Sequence, residues 1–227
     1  MFPSNIPVQN PDLIQLYSIP TPNGQKISIA LEELGLPYEA HRMSFGPALS
    51  HPEYRKLSPN GKIPTLVDPD GPGGAPLVLM ESGAILHYLA RKTGKLMPTD
   101  PAGENQVLQW LLFQVGHVGP MFGQFGHFFK FAKDKTTDDY GVDRYTNEAK
   151  RLLGVMDQRM AGRDWIVDDF SIADIALVPW INALDFYEGK EAVGYSSFEN
   201  VVAWVERFNA RPAVQRGASI PAEGQGV

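Results

Sequence analysis

The feature that most restricts how this chain can fold is a proline just inside a short apolar run, Lys62-Ile63-Pro64-Thr65-Leu66. Proline has no backbone N–H to give to a sheet ladder, so the run must be a strand with the proline at its start or on an edge. Turn residues fill positions 68–76, and Leu77-Val78-Leu79 is a second short apolar strand, so the pair reads as a hairpin with a long loop. Glu81-Ser82 then opens a run with apolar or aromatic residues at Ile85, Tyr88 and Leu89 and a stop at Gly94. That spacing predicts a helix with Ser82 as its N-cap, and a helix start offers unpaired N–H groups to any anion placed there.

Upstream, residues 1–12 hold three prolines and no periodicity, which predicts an extended arm. Leu13-Ile14-Gln15-Leu16-Tyr17-Ser18 is a compact apolar strand, broken by Pro20-Thr21-Pro22-Asn23-Gly24. Ile27, Ala30, Leu31 and Leu34 then recur at helical spacing up to Gly35, and residues 38–43 form another strand. Strand, helix and strand within about 30 residues make a βαβ unit, so these two strands should be parallel. A short helical turn is expected at residues 52–56.

Residues 97–103, with prolines at 98 and 101, read as a linker. Beyond it the periodicity is helical. Val107, Leu108, Leu111, Leu112 and Val115 mark one helix, which Gly116, Gly119 and Pro120 are expected to bend or end. Tyr145, Ala149, Leu152, Leu153 and Met156 mark another. Ser171-Ile172-Ala173-Asp174 is a capping box, and Pro179 is expected to kink the helix it opens. Residues 198–209 give a further helix, stopped by Pro212. The expected organisation is an arm at 1–12, an α/β domain at 13–96, the linker, an all-α domain at 104–217 and a flexible tail at 218–227.

Several classes of function are excluded. A net charge of −6 argues against a nucleic-acid binder. The chain has no cysteine, which removes disulfides, thiolate metal sites and a cysteine nucleophile together, and fits a reducing cytoplasm. The histidines at 41, 51, 87, 117 and 127 lack metal-ligand spacing, so no metal is expected. Gly71-Pro72-Gly73-Gly74 lacks the Gly-Lys-Ser/Thr of a phosphate loop. The first residues show neither the basic nor the apolar part of a signal peptide, and no apolar run approaches the ~18–20 residues of a membrane span. The expectation is a soluble cytoplasmic protein with no membrane or nucleic-acid partner.

Taken in order, the Lys62-Ile63-Pro64-x-Leu66 strand, the hairpin and Glu81-Ser82-Gly83-Ala84-Ile85 resemble the glutathione-binding half of glutathione transferases. A thioredoxin proper would place Cys-x-x-Cys at the start of the first helix. Thr21-Pro22-Asn23-Gly24 stands there instead, and is similar to the bacterial nu class and its fungal nitrogen-regulator relatives. The likeness continues through Gln109 to Gly116, Gly119-Pro120-Met121, Gly126-His127-Phe128, Arg144-Tyr145, residues 148–152 and the Ser171 box, and covers nearly the whole chain. It implies an N-terminal thioredoxin-like domain, a C-terminal helical domain and a two-fold homodimer. In that family the proline corresponding to Pro64 is cis and the residue before it, here Ile63, offers its backbone to the cysteinyl part of glutathione. Glu81 and Ser82 would hold the γ-glutamyl end, Lys62 and Lys26 are candidates for the glycyl carboxylate, and Arg144 would also reach glutathione.

The loop after the first strand faces the glutathione sulfur in this fold. A free thiol titrates near ~8.5 and reacts as the thiolate, which a hydroxyl, an amide and helix N-terminal N–H groups all favour. Thr21 and Asn23 are therefore the leading catalytic candidates. Tyr17 and Ser18 are the rivals, because other classes use Tyr or Ser near this strand. One departure stands out. Relatives carry Gln or His three residues before the Pro-Glu-aromatic triplet, here Pro52-Glu53-Tyr54, whereas this chain has Leu49 followed by Ser50 and His51. Phe122, Phe125, Phe128, Phe129 and Phe131 read as core and as one wall of an apolar substrate pocket. The resemblance implies a glutathione-dependent transferase and disulfide-bond reductase acting on a small disulfide or electrophile. The alternative is a non-catalytic regulator or scaffold that binds glutathione, although such a protein need not keep Thr21, Asn23, Glu81 and Ser82 together.

Overall fold

The βαβ unit expected over residues 13–43 is present in the computed structural model, which describes residues 2–135 and 138–222. Strand β1 (Ile14–Ser18) leads through α1 (Pro22–Leu34) to β2 (Tyr38–Arg42), and the two strands pair in parallel. Two short helices, α2 (Pro47–Ser50) and α3 (Pro52–Leu57), precede β3 (Thr65–Asp68), β4 (Leu77–Met80) and α4 (Ser82–Thr93). Antiparallel pairing of β3 with both β1 and β4 gives the order β2-β1-β3-β4. Pro64 precedes Thr65, the first paired residue of β3, so its missing N–H costs the ladder nothing. Every residue of β1 and β3 is buried, whereas the edge strand β4 is half exposed in alternation.

By its contacts the chain divides into two units, Met1–Lys95 with Pro212–Val227, and Leu96–Arg211. In the first, the arm folds back on its own sheet. Ile6 packs among Tyr17, Met43, Leu49 and Tyr54, while the Gln9 and Asn10 N–H groups donate to the Glu39 carboxylate at 2.9 and 2.7 Å.

The second unit holds α5 (Pro101–Phe113), α6 (Gly119–Gly126), α7 (Tyr140–Met160), α8 (Ile172–Phe186) and α9 (Glu199–Asn209). The helix does not stop at Gly116, Gly119 and Pro120. The helix instead widens into a π-helical segment at Gln114–Val118, with the Gly119 N–H donating to the Gln114 carbonyl, and continues as α6. Proline cannot donate to the carbonyl four residues back and its ring crowds that carbonyl, so a wider register lets the helix pass through Pro120. A second π-helical segment, His127–Phe131, follows α6.

The capping box opens α8 as expected. The Ser171 N–H donates to Asp174 Oδ2 at 2.9 Å and the Ala173 N–H to Ser171 Oγ at 3.2 Å. The Asp174 Oδ1 atom also accepts from the Ile166 N–H at 2.9 Å and from Trp204 Nε1 at 3.0 Å, tying the preceding loop and α9 to the start of α8. Burial pushes the Asp174 carboxyl up to about 6, with hydrogen bonds from the Ile166 and Ser171 N–H groups, the Ser171 hydroxyl and the Trp204 indole holding it down. Helix α8 runs as one element through Pro179.

Helix α10 (Pro212–Gly217) continues the helical sequence pattern but belongs by contacts to the first unit. It lies on α1: Ser28 Oγ donates to the Gly217 carbonyl at 2.7 Å, and Arg216 Nε pairs with Glu32 at 2.7 Å. A Cβ at Gly217 would stand 2.6 Å from Ile29 Cα, so only glycine permits this approach. Residues 218–222 are tied down by Gln25 Nε2 to the Ala218 carbonyl and by Arg42 to the Pro221 carbonyl. The rest of the flexible tail expected there, residues 223–227, lies outside the described residues.

Replacing Asp174 by alanine strips the acceptor from four buried donors, each costing about 1–3 kcal/mol when left unpaired. Asp174→Ala is therefore expected to lower the unfolding free energy by about 4 kcal/mol in urea denaturation.

Candidate functional site

Three pieces of the first unit meet at one cleft of about 220 Å³: the start of α1, the loop before β3 and the start of α4. Of the residues singled out in the sequence, Asn23, Lys62, Ile63, Pro64, Glu81 and Ser82 line it, joined by Ser58, Asn60 and Met80.

Helix α1 begins with Thr21 as N-cap in an extended conformation and Pro22 in the first turn. The Thr21 side chain makes no capping hydrogen bond, and the positive end of the helix dipole lies at this start. Thr21 itself is half-buried at this turn and does not line the cleft, whereas Asn23 does. Gly24 allows the close approach of α1 to the strand end: a Cβ there would lie 1.9 Å from the Ile19 carbonyl oxygen and 2.5 Å from Ser18 Oγ. That contact also locates the rival Ser18, which is fully buried beneath α1. Tyr17, the other rival, is equally buried, its ring stacked on His41 at 4.6 Å and its phenol pushed up by burial. Neither lines the cleft.

The Ile63–Pro64 bond is cis, as the resemblance implies. The carbonyl of Lys62, just before it, accepts from the Tyr54 hydroxyl at 2.9 Å and from Ser58 Oγ at 2.9 Å. Thr65 Oγ1 lies 3.0 Å from the same phenol, and burial pushes Tyr54 up to about 12, so it remains a donor. Sequence reasoning used Tyr54 only as a landmark and missed this clamp. The available signal was an aromatic on a short helix directly before Ser58-Pro59-Asn60-Gly61-Lys62. Leu49 is packed in the core with Tyr17 and Tyr54, while Ser50 bonds back to its own helix and His51 caps α3 through the Glu53 N–H. None of the three lines the cleft, so no side chain there takes the place of the Gln or His seen in relatives.

The start of α4 differs from the sequence expectation. Glu81, not Ser82, is the N-cap residue, at φ 71° and ψ 112°, and Ser82 is the first helical residue. Positive φ is unfavourable for a side chain with a Cβ and costs on the order of 1–3 kcal/mol. The distortion sets Glu81 and Ser82 side by side at the cleft. Behind Ser82 stands Lys26, which sequence reasoning offered as a partner for a glycyl carboxylate. It is only 1% exposed and does not line the cleft. Its Nζ donates to Ser82 Oγ at 3.1 Å, and burial lowers its pKa to about 7 against the opposing pull of Glu81. Lys62 is the exposed lysine of the cleft.

Arg144 belongs to the second unit, on α7, where it lines a cavity of about 600 Å³ with Tyr145, Glu148 and Arg151. Its pairing with Glu148, the ordinary expectation for residues four apart, is not made. Arg151 grips that carboxylate with two hydrogen bonds of 2.8 and 2.7 Å, which holds its pKa below the usual range. Among the described residues Arg144 makes no hydrogen bond or ion pair and is exposed. Phe128 stacks on Tyr145 at 5.4 Å, Phe122 and Phe125 are core, and Phe131 is exposed. Among the described residues no cluster of three His, Cys, Asp or Glu could hold a metal, and no helix is long and apolar enough to cross a membrane.

The thioredoxin-like sheet with its cis-proline cleft, in a chain that also carries an all-helical unit, defines the class. The chain matches the model of the glutathione S-transferase N-terminal domain over residues 21–92 and that of the C-terminal domain over residues 118–212. It belongs to the glutathione S-transferase family. It is 42% identical over 204 residues to the Escherichia coli disulfide-bond oxidoreductase YfcG, covering 88% of this chain and 92% of that protein. A Pseudomonas fluorescens glutathione transferase family member with two glutathione bound superposes with a TM-score of 0.93 at 54% identity, over 95% of this chain and 96% of that one. A Pseudomonas putida glutathione transferase with one glutathione disulfide per subunit gives 0.93 at 52% identity, over 95% of each chain.

The strain at Glu81 has a measurable consequence. Glycine accepts positive φ without a Cβ penalty but adds unfolded-chain entropy. Glu81→Gly is expected to raise the stability of the ligand-free protein by about 1 kcal/mol, read as a higher melting temperature. A lower melting temperature would show that Glu81 contributes more to the fold than its backbone costs.

Proposed function

We propose that this protein is a cytoplasmic, homodimeric glutathione transferase whose main reaction is the reduction of small disulfides by bound glutathione. The observation that carries the reading is the cleft that gathers Asn23, the cis Ile63–Pro64 bond, Glu81 and Ser82 in a chain without cysteine. The glutathione and glutathione disulfide held by the solved relatives support it, as does the oxidoreductase name of the Escherichia coli relative.

In this reading Ile63 offers its backbone to the cysteinyl residue. Glu81 pairs the γ-glutamyl ammonium, Ser82 and the first turn of α4 take the adjacent carboxylate, and Lys62 takes the glycyl end. Arg144 contributes a cation to glutathione from α7. At the sulfur, Asn23, Thr21 and the α1 N-terminus favour the thiolate. The thiolate attacks one sulfur of the substrate disulfide, forms a glutathione mixed disulfide and releases the other half as a thiolate. A second glutathione then attacks the mixed disulfide, so two glutathiones become glutathione disulfide while one disulfide becomes two thiols. With no cysteine in the protein, both exchanges run on glutathione itself. A reaction that consumes reduced glutathione belongs in a reducing compartment, hence the cytoplasm.

Neutral donors shift a thiol pKa less than a paired cation does, and the best attacking thiol titrates near ambient pH. Reduction of hydroxyethyl disulfide is therefore expected to outpace conjugation of a chloronitrobenzene. Asn23→Ala should lower the reduction while leaving glutathione affinity within a few fold. Faster conjugation than reduction in the unmodified protein, or undiminished reduction in the variant, contradicts the assignment.

Homodimers with two-fold symmetry are the default oligomer for soluble proteins and the rule implied by the family resemblance. Light scattering at micromolar concentration is expected to give twice the chain mass of 25.1 kDa. A mass equal to one chain rejects the dimer.

A further inference from the structure

We propose that Lys26 is a positioning residue for the γ-glutamyl end of glutathione, its buried ammonium setting the Ser82 hydroxyl so that it donates into the cleft. This rests on the reading of Glu81 and Ser82 as the γ-glutamyl site. Lysine is almost never fully buried, because taking its charge out of water is costly unless something compensates. At 1% exposure Lys26 is such a case, and its surroundings identify the compensation. Its Nζ lies 3.1 Å from Ser82 Oγ, and the Glu81 carboxylate is the charged group whose field opposes its loss of a proton.

The chemistry of this contact is directional. In its protonated form, which the Glu81 carboxylate favours, Lys26 has three donors and no lone pair, so Ser82 Oγ is then the acceptor. A serine hydroxyl has one proton, and that proton must then point elsewhere. Among the described residues Ser82 Oγ donates to no protein acceptor, although the residue is only 7% exposed and lines the cleft. The proton is thus available to an anion placed at the start of α4, where the first-turn N–H groups also lack intrahelical partners. A carboxylate adjacent to an ammonium that Glu81 can pair meets all three demands.

Lys26 also links the two ends of the ligand. It follows Asn23 by three residues on α1, so the two share a face one turn apart. The helix that presents Asn23 to the sulfur therefore anchors the serine that receives the γ-glutamyl group. Fixing one fixes the spacing to the other.

The test compares two ligands on the whole protein: S-methylglutathione, which has the γ-glutamyl residue, and S-methylcysteinylglycine, which lacks it. Methylation removes thiol titration from the measurement. In Lys26→Met, an apolar side chain of similar length fills the same space, the cost of burying the ammonium is removed, and the Glu81 carboxylate left behind is exposed to solvent rather than buried. The expected result is an affinity loss of about tenfold for S-methylglutathione, with S-methylcysteinylglycine unchanged within about twofold and the melting temperature not lowered. Equal weakening of both ligands with a lowered melting temperature would assign Lys26 a structural role and overturn the proposal. Unchanged S-methylglutathione affinity in the variant, with normal binding by the unmodified protein, would overturn it while leaving the γ-glutamyl site intact. Failure of the unmodified protein to bind S-methylglutathione would overturn both. If Lys26→Met melts too low to assay, Lys26→Gln, neutral and polar, replaces it under the same criteria.

Discussion

The carbonyl of Lys62 is the point on which the first unit's cleft depends. Two hydroxyls donate to it, Tyr54 from α3 and Ser58 from the preceding turn, each at 2.9 Å. Tyr54 is itself fully buried and shares its hydroxyl with Thr65, the first residue of β3. One phenol therefore fixes the residues on both sides of the cis Ile63–Pro64 bond. The loop that lines the cleft is held by the same packing that buries the sheet. This explains how an irregular segment can face solvent without drifting: its backbone acceptor is satisfied from beneath, and its outer face is left for a ligand.

Two helix starts open onto that cleft, and neither is capped by its own side chain. Thr21 and Glu81 both occupy N-cap positions with residues able to accept a hydrogen bond, yet neither does so. In the second unit α8 gives the contrast, because Ser171 and Asp174 close its start with reciprocal bonds and recruit Ile166 and Trp204 as well. A helix start sealed in this way contributes to stability. One left open contributes positive potential, and two of them at one cleft favour an anionic thiol at one end and a carboxylate at the other.

Much of this was legible in the sequence because it follows from local rules. The strand-start proline, the βαβ unit, the long-looped hairpin and the Ser171 box are each set by residues a few positions apart. Two of the departures come from tertiary contacts between residues far apart in sequence, and one from how the helix accommodates a proline. Ser82 has the usual chemistry of an N-cap, but its hydroxyl is engaged by Lys26 and the cap position falls to Glu81. Pro120 has the usual effect of ending a helix, but the chain widens to π register and continues. Helix α10 continues the helical pattern, yet Gly217 and Ser28 assign it to α1. Asn23, Lys62, Ile63, Pro64, Glu81 and Ser82 were each found from motif and resemblance. The support by Tyr54 was not, since nothing in a single sequence shows a tyrosine on α3 reaching a carbonyl eight residues on.

Locally unfavourable features occur elsewhere in this molecule, at Leu96 and Glu188 with positive φ and at the Tyr17 hydroxyl and Trp110 indole, unpartnered among the described residues, but several gather at one place. Glu81 at positive φ, the buried ammonium of Lys26 and the two uncapped helix starts all belong to one cleft. Each would lower stability if it stood alone in a core, and each becomes favourable only when a ligand with matching groups is present: an ammonium for Glu81, an anion for the Ser82 hydroxyl and the open N–H groups, a thiolate for the start of α1. A sequence selected for stability alone would relieve all of them with a glycine, an apolar residue and two capping bonds. Their gathering at one cleft fits the ligand site proposed for it, where stability of the ligand-free state is given up for binding.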